Sequence, residues 1–184
     1  MADSSITQLT QPTQLTQPTQ LAQLTQLAQL TQLSDARAMR VALSEARKAA
    51  NEGEIPVGAA LFLGRRLIWA DHNRRERLHD PTAHAEILCL KNGAKKLGGW
   101  RLNGCVVYVT LEPCPMCAGA LVMCRLARCV YGASDPGFGC CGSIYDLPAD
   151  PAFRSDTRWT AGVLESECAG MLRGFFRHGF LSKR

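Results

Sequence analysis

Nowhere does the chain approach the roughly 20 uninterrupted apolar residues that a membrane-spanning helix needs. Its first 33 residues contain no lysine or arginine and a single acid, Asp3. A secretory signal would open with a basic segment followed by an apolar core, and a mitochondrial transit peptide would carry arginines, the first of which is Arg37. Neither pattern is present, so a cytoplasmic protein without membrane attachment is expected. The nine cysteines are an odd number in a chain with no export signal, which argues against a disulfide framework and for reduced thiols.

What is present is an ordinary globular balance, 46% hydrophobic and 20% charged residues over 184 positions, enough for one domain with one buried core. The net charge of +5 is unevenly placed, because everything after residue 33 carries 21 basic and 15 acidic residues. Arginine greatly outnumbers lysine, and guanidinium groups pair with phosphates and stack on bases, so a nucleic-acid partner suits the charge without being required by it. From Thr7-Gln8-Leu9 to Thr31-Gln32-Leu33 the chain runs in Thr/Ala-Gln-Leu/Pro triplets. A period of three carries the leucines around a helix of 3.6 residues per turn, and Pro12 and Pro18 interrupt the first half. Residues 1–33 therefore read as a disordered, low-complexity tail ahead of a domain over 34–184.

Ser34-Asp35 suits the start of a helix running through Met39, Leu43 and Ala46 towards Gly53. Residues 57–63 and 67–72, split by Gly64-Arg65-Arg66, predict a hairpin, and 105–110 and 128–131 are further β-branched, apolar runs. Helices are expected over about 82–97, 115–125 and 166–178. Helix, hairpin, then alternating helix and strand predicts an α/β fold, a three-layer αβα sandwich with a mixed central sheet covered on both faces.

Two helix starts carry chemistry. Asp80-Pro81 offers a capping carboxylate followed by a residue with no amide to satisfy, which sets His84 near the first turn. Pro113-Cys114-Pro115-Met116-Cys117 is a second start, placed directly after a strand, where the positive helix end favours thiolate over thiol. One imidazole and two thiolates are ligands that zinc accepts, and three protein ligands leave the fourth tetrahedral position for water, the arrangement of a catalytic site. Glu86 lies two residues beyond His84. On a regular helix that spacing points about 200° apart, so both can approach one ion only at the helix terminus. A hard carboxylate adds little to a site with two soft thiolates, which makes Glu86 a proton carrier rather than a ligand. A lone Cys-x-x-Cys is more often structural or redox-active, and on spacing alone Cys124 or Cys129 remains a possible fourth ligand of a structural site.

His-x-Glu followed by Pro-Cys-x-x-Cys is the signature of zinc-dependent deaminases. More specifically, His79-Asp80-Pro81-Thr82-Ala83-His84-Ala85-Glu86 and Thr110-Leu111-Glu112-Pro113-Cys114-Pro115-Met116-Cys117-Ala118-Gly119-Ala120 resemble the two signature blocks of bacterial tRNA adenosine deaminases in the cytidine deaminase-like superfamily. Glu54-Ile55-Pro56-Val57-Gly58-Ala59 and Phe175-Phe176-Arg177 also match, so the resemblance spans about 36–180. It implies a homodimer that holds one zinc ion per subunit and converts adenosine to inosine at the wobble position in the anticodon loop of an arginine tRNA. Under that resemblance His84, Cys114 and Cys117 hold zinc, Glu86 shuttles protons, Asn73 hydrogen-bonds the purine edge and Val57 lines the base pocket. Asp135 falls near the RNA backbone, while Phe175 and Phe176 meet the anticodon loop.

Plainer readings exist for the peripheral residues. Asn73 suits a turn before Arg74-Arg75, Val57 a strand core, Asp135 an Asp-Pro turn, and one of the two phenylalanines packing inside. Cys140-Cys141 departs from the small residues the resemblance leads one to expect. Arg74, Arg75 and Arg77 are candidates for phosphate contacts. Two rival functions share part of the pattern: a zinc-dependent deaminase of a free base such as guanine or cytosine, and a non-catalytic, zinc-stabilised RNA-binding subunit. Glu86 speaks against the second, since a structural site needs no proton carrier.

Overall fold

The computed structural model describes residues 34–179; the expected disordered tail over 1–33 lies outside them. Helix α1, Asp35–Asn51, starts where Ser34 Oγ accepts the Arg37 amide at 3.3 Å, with Asp35 in the first turn and Lys48 in the last. Its inward stripe is built largely from small residues, Ala38, Ala42, Ala46 and Ala49 around Met39 and Leu43, all fully buried. The hairpin strands β1, Gly58–Leu63, and β2, Arg66–His72, follow. Next come the short helix α2, Arg75–Leu78, helix α3, Ala85–Leu97, and strand β3, Cys105–Leu111. Helix α4, Pro115–Met123, strand β4, Arg128–Ala133, strand β5, Arg158–Thr160, and helix α5, Glu165–Gly179, complete the chain.

The five strands form one sheet in the order β2-β1-β3-β4-β5. β1 pairs antiparallel with β2 and β3, whereas β3, β4 and β5 run parallel. Alternate residues then face opposite layers. Ala59, Leu61, Val107, Val109, Cys129 and Tyr131 pack with Ala85, Cys89 and Leu90 of α3 and Ala118 and Leu121 of α4. Ala60, Phe62, Tyr108 and Val130 pack with the alanine stripe of α1 and Cys168 of α5. With apolar neighbours on both faces, the strands read as nearly continuous hydrophobic runs. The mixed three-layer sandwich expected from the sequence is the fold observed. Among the described residues, no helix is long and apolar enough to cross a membrane.

Three expectations shift. The helix expected from residue 82 begins at Ala85, because Asp80 closes its own turn, its Oδ1 accepting the Thr82 amide and hydroxyl at 2.8 and 2.7 Å. The helix expected to reach residue 125 stops at Met123, and Arg125 turns out of it at φ 58°. Helix α2 and strand β5 were not anticipated, being four and three residues long, too short for a hydrophobic period to register.

The closeness of α1 to the sheet rests on Gly58. A Cβ there would run into the carbonyl oxygen of Ala42 and the amide nitrogen of Ala46, backbone atoms that only a shift of the helix can move. Gly58→Ala is expected to destabilise the fold by about 1–3 kcal/mol, while Gly170→Ala in α5, where no atom lies within 4 Å of the new Cβ, should be neutral or stabilising by up to about 1 kcal/mol. Denaturant midpoints of the two variants check this; equal midpoints would contradict the close packing of α1 on β1.

Candidate active site

Helices α3 and α4 begin at the same place. His84 is the N-cap of α3 and Cys114 the N-cap of α4, both in extended backbone conformation, and neither side chain caps its own helix. A capping residue ordinarily turns its side chain back onto the orphan amides. Here the side chains turn to each other instead: Cys114 Sγ lies 3.7 Å and Cys117 Sγ 3.6 Å from His84 Nδ1. Pro115 at the first turn of α4 has no amide to leave unsatisfied. The expected meeting of two helix starts is realised, with His84 one position before its helix rather than within it.

The donor set suits a zinc ion. One ligand atom from each of His84, Cys114 and Cys117 lies within 4.8 Å of the others, and this is the only such group of three or more among the described residues. A hydrogen bond from Cys117, together with His84, holds the Cys114 thiol down to about 4 and so favours the thiolate that a metal binds. The same hydrogen bond, with burial, raises the pKa of the Cys117 thiol. The hydrogen bond to Cys114 also raises the pKa of His84. Neither Cys124 nor Cys129 joins the group, and the Cys124 thiol donates instead to the Leu121 carbonyl at 3.3 Å. Three ligands of the kinds zinc prefers, with no fourth among the described residues, is the composition of a catalytic site.

Glu86, in the first turn of α3, is 4% exposed. Burial pushes its carboxyl pKa up to about 7, against smaller opposing effects from its own backbone amide, His84 and Cys117. It thus stands beside the ligand group without belonging to it.

These residues open onto a cavity of about 790 Å³ at the carboxyl ends of β3 and β4. Val57, Asn73, Asp135 and Phe176, named from the sequence, all line it together with His84, Glu86 and Cys114. Asn73 is 5% exposed and follows directly on β2, its amide bonded to the Val57 carbonyl at 3.0 Å. Asp135 is also the turn residue of the plainer reading, since its Oδ1 accepts the amides of Gly137 and Phe138 at 2.9 and 3.2 Å. Phe176 is 46% exposed at the cavity, and the half-buried Phe175 meets it edge-on.

The three arginines separate. Arg74 pairs with Asp71 at 2.9 Å and Arg77 with Glu52 at 2.8 Å, whereas Arg75 lines the cavity and forms no ion pair among the described residues.

Two carboxylates escaped sequence reasoning. Glu112 is 2% exposed and gathers the loop after β4, accepting the amides of Asp135, Cys141 and Ser143 at 3.0 Å each and the Ser143 hydroxyl. Glu54, 1% exposed, accepts from the Asn73 side chain and the Arg77 amide. The only signal was that each belongs to a block matching the family and adjoins apolar or proline residues, an odd place for a solvated acid. The Cys140-Cys141 pair is buried in the Glu112-anchored loop, where the Cys140 amide reaches the Pro113 carbonyl at 2.9 Å.

Comparison with known proteins agrees with this geometry. The family profile for the cytidine and deoxycytidylate deaminase zinc-binding region matches residues 33–133. The tRNA-specific adenosine deaminase of Bacillus subtilis strain 168 is 47% identical over 143 residues, covering 78% of this chain and 89% of that one. A solved structure from work on A-to-I editing by tRNA:A34 deaminases at the wobble position is 42% identical, with a TM-score of 0.71 over 73% of this chain and 98% of that one. A guanine deaminase from Bacillus subtilis is 32% identical, with a TM-score of 0.54 over 58% of this chain and 72% of that one. The chain therefore belongs to the tRNA-specific adenosine deaminase family, a branch built on the cytidine deaminase zinc-binding domain.

Proposed function

We propose that this protein hydrolyses adenosine to inosine at the wobble position of a tRNA anticodon loop, with an arginine tRNA as substrate. The observation that carries the reading is a buried carboxylate, Glu86, set beside a three-ligand zinc site at the floor of a cavity large enough for a base. Zinc, held by His84, Cys114 and Cys117, supplies the Lewis acidity that makes water a nucleophile near neutral pH.

The chain's own residues do the rest. A carboxyl group poised near pH 7 can both take and return a proton, so Glu86 accepts one from the water that adds at C6 of the adenine and passes protons to the ring and to the departing ammonia. Adenosine and water give inosine and ammonia. Asn73 offers hydrogen bonds to the base, Val57 packs against it, and Phe176 with Asp135 forms the rim that faces the RNA strand. An anticodon loop suits the site because its bases leave the stack at little energetic cost.

The free-base alternative shares the fold, as the guanine deaminase comparison makes plain, but at lower identity and coverage than the tRNA deaminases. The exposed arginine at the cavity also suits a substrate that carries phosphates. We further assign the catalytic unit to residues 34–184, place the protein in the cytoplasm and expect a homodimer, for which the solvent-exposed side chains of Met123 and Ile144 offer apolar surface.

Three measurements test the reading. Glu86→Gln, with zinc content verified as unchanged, should lower kcat for inosine formation on a tRNA whose anticodon begins with adenosine by about 100-fold to 10,000-fold; normal turnover would remove Glu86 from the mechanism. Arg75→Ala should weaken tRNA binding and flatten its dependence on salt by about 0.7 in the log–log slope, the value for one phosphate contact on a single strand. Equivalent changes at Arg74 and Arg77 should act through local stability, given their internal acids. Removal of residues 1–33 should leave both tRNA affinity and kcat unchanged, because that segment holds no basic residue; a tenfold loss of affinity would make the repeat part of the RNA-binding surface.

A further inference from the structure

Glu54 has no place in the chemistry described, yet its carboxyl group is 1% exposed and belongs to none of the ion pairs among the described residues. A carboxylate buried without a cation persists only where hydrogen bonds hold it. Its two oxygens have different partners. Oε1 accepts the backbone amide of Arg77 at 2.9 Å, which fixes the carboxylate against helix α2, and Oε2 accepts Nδ2 of Asn73 at 3.3 Å.

An asparagine amide can face a neighbour with either its nitrogen or its oxygen, but a carboxylate can only accept. Asn73 is thereby held nitrogen-first towards Glu54. Among the described residues its Oδ1 has no hydrogen-bond partner and no buried side-chain oxygen or nitrogen lacks one, so Oδ1 opens to the cavity that Asn73 lines. We propose that Glu54 is a positioning residue that sets the polarity of the Asn73 amide, so that the base pocket presents an acceptor oxygen to the substrate at this point. The inference rests on the reading of Asn73 as a base-binding residue.

Glu54→Gln reverses that polarity at almost constant volume. The Arg77 amide still requires an acceptor, so the oxygen of the new side chain stays beneath it and the new amide nitrogen faces Asn73. Two NH₂ groups cannot face each other; Asn73 turns over, and the cavity meets a donor where it had an acceptor. Adding Asn73→Asp corrects this, because a carboxylate at 73 accepts from the amide at 54 and keeps an oxygen towards the cavity.

The test compares the zinc-loaded full-length wild type, Glu54→Gln, and the double variant Glu54→Gln with Asn73→Asp, on an anticodon stem-loop carrying adenosine at the wobble position. In Glu54→Gln the side-chain amide resonances of Asn73 should shift, and kcat/KM should fall by about tenfold to a hundredfold, mainly through KM, with zinc content and thermal midpoint unchanged. The double variant should recover at least half of that loss on a logarithmic scale, which a residue needed only for folding would not do. Unchanged kcat/KM in Glu54→Gln, or a double variant no better than the single one, would overturn the positioning role. Should the wild type form no inosine, the adenosine reading itself fails, and the Asn73 resonances then decide alone: unshifted in Glu54→Gln, they refute the amide-setting role whatever the substrate.

Discussion

Everything around the cavity depends on bringing three ligand atoms from two separate helices to one point, and both helices do it by giving up a side-chain cap. A helix N-terminus normally draws its first side chain back onto its own amides. His84 and Cys114 are instead released to face each other, and a hydrogen bond from Cys117, together with His84, favours thiolate at Cys114. The sheet makes the meeting possible. β3 runs directly into α4, and α3 packs across the β1–β2 hairpin on the same face, so both N-termini lie at the carboxyl end of β3, where open α/β sheets place their ligands.

This arrangement explains why the walls need internal anchors. With the cavity at the strand ends, its sides are loops, and loops hold position only where something buried ties them down. Glu112 ties the segment after β4 through three backbone amides, and Glu54 ties the residues after β2. Behind Asn73, the nearly buried ring of His72 bridges Glu45 and Glu52 at 3.0 and 3.3 Å, so the end of α1 is fastened to the end of β2 as well. The residues that would touch substrate are thus set on short connections between rigid elements.

The sequence carried the metal site because its signals are local: Pro113-Cys114-Pro115 and Asp80-Pro81 mark helix starts, and the Cys-x-x-Cys spacing brings two sulfurs together within one turn. It also carried four of the sheet's five strands, placed within one or two residues of their ends by β-branched runs and turn residues. The true start of α3 was not legible, because Asp80 has two uses, capping a helix or closing a turn, and only the neighbouring Thr82 hydroxyl decides. Glu54 and Glu112 were hidden for a different reason. A buried acid is recognised by its partners, and those lie 19 to 31 residues away in the chain, beyond any local pattern. The pairing of Arg77 with Glu52, 25 residues away, was hidden likewise.

Two buried carboxylates, Glu86 and Glu112, line one cavity, a third, Glu54, is bonded to the lining residue Asn73, and their surroundings suit them to different duties. Burial pushes the charge on Glu112 towards protonation, but hydrogen bonds from the Ser143 side chain and the amides of Asp135, Ser143 and Cys141 outweigh it and hold the group below the usual carboxylate range. Such a group stays ionised and makes a fixed anchor. Glu86 lies deeper among protein atoms with far fewer donors, and burial raises it to about 7. A carboxyl group this close to neutrality is unsuited to holding a loop, because its charge would come and go, but it is well matched to moving protons. Glu54 has two donors, one for each oxygen, which fixes its direction. Depth of burial, together with the number and placement of N–H and O–H donors, therefore separates chemically identical side chains into a loop anchor at Glu112, the proposed proton carrier at Glu86 and the proposed positioning group at Glu54.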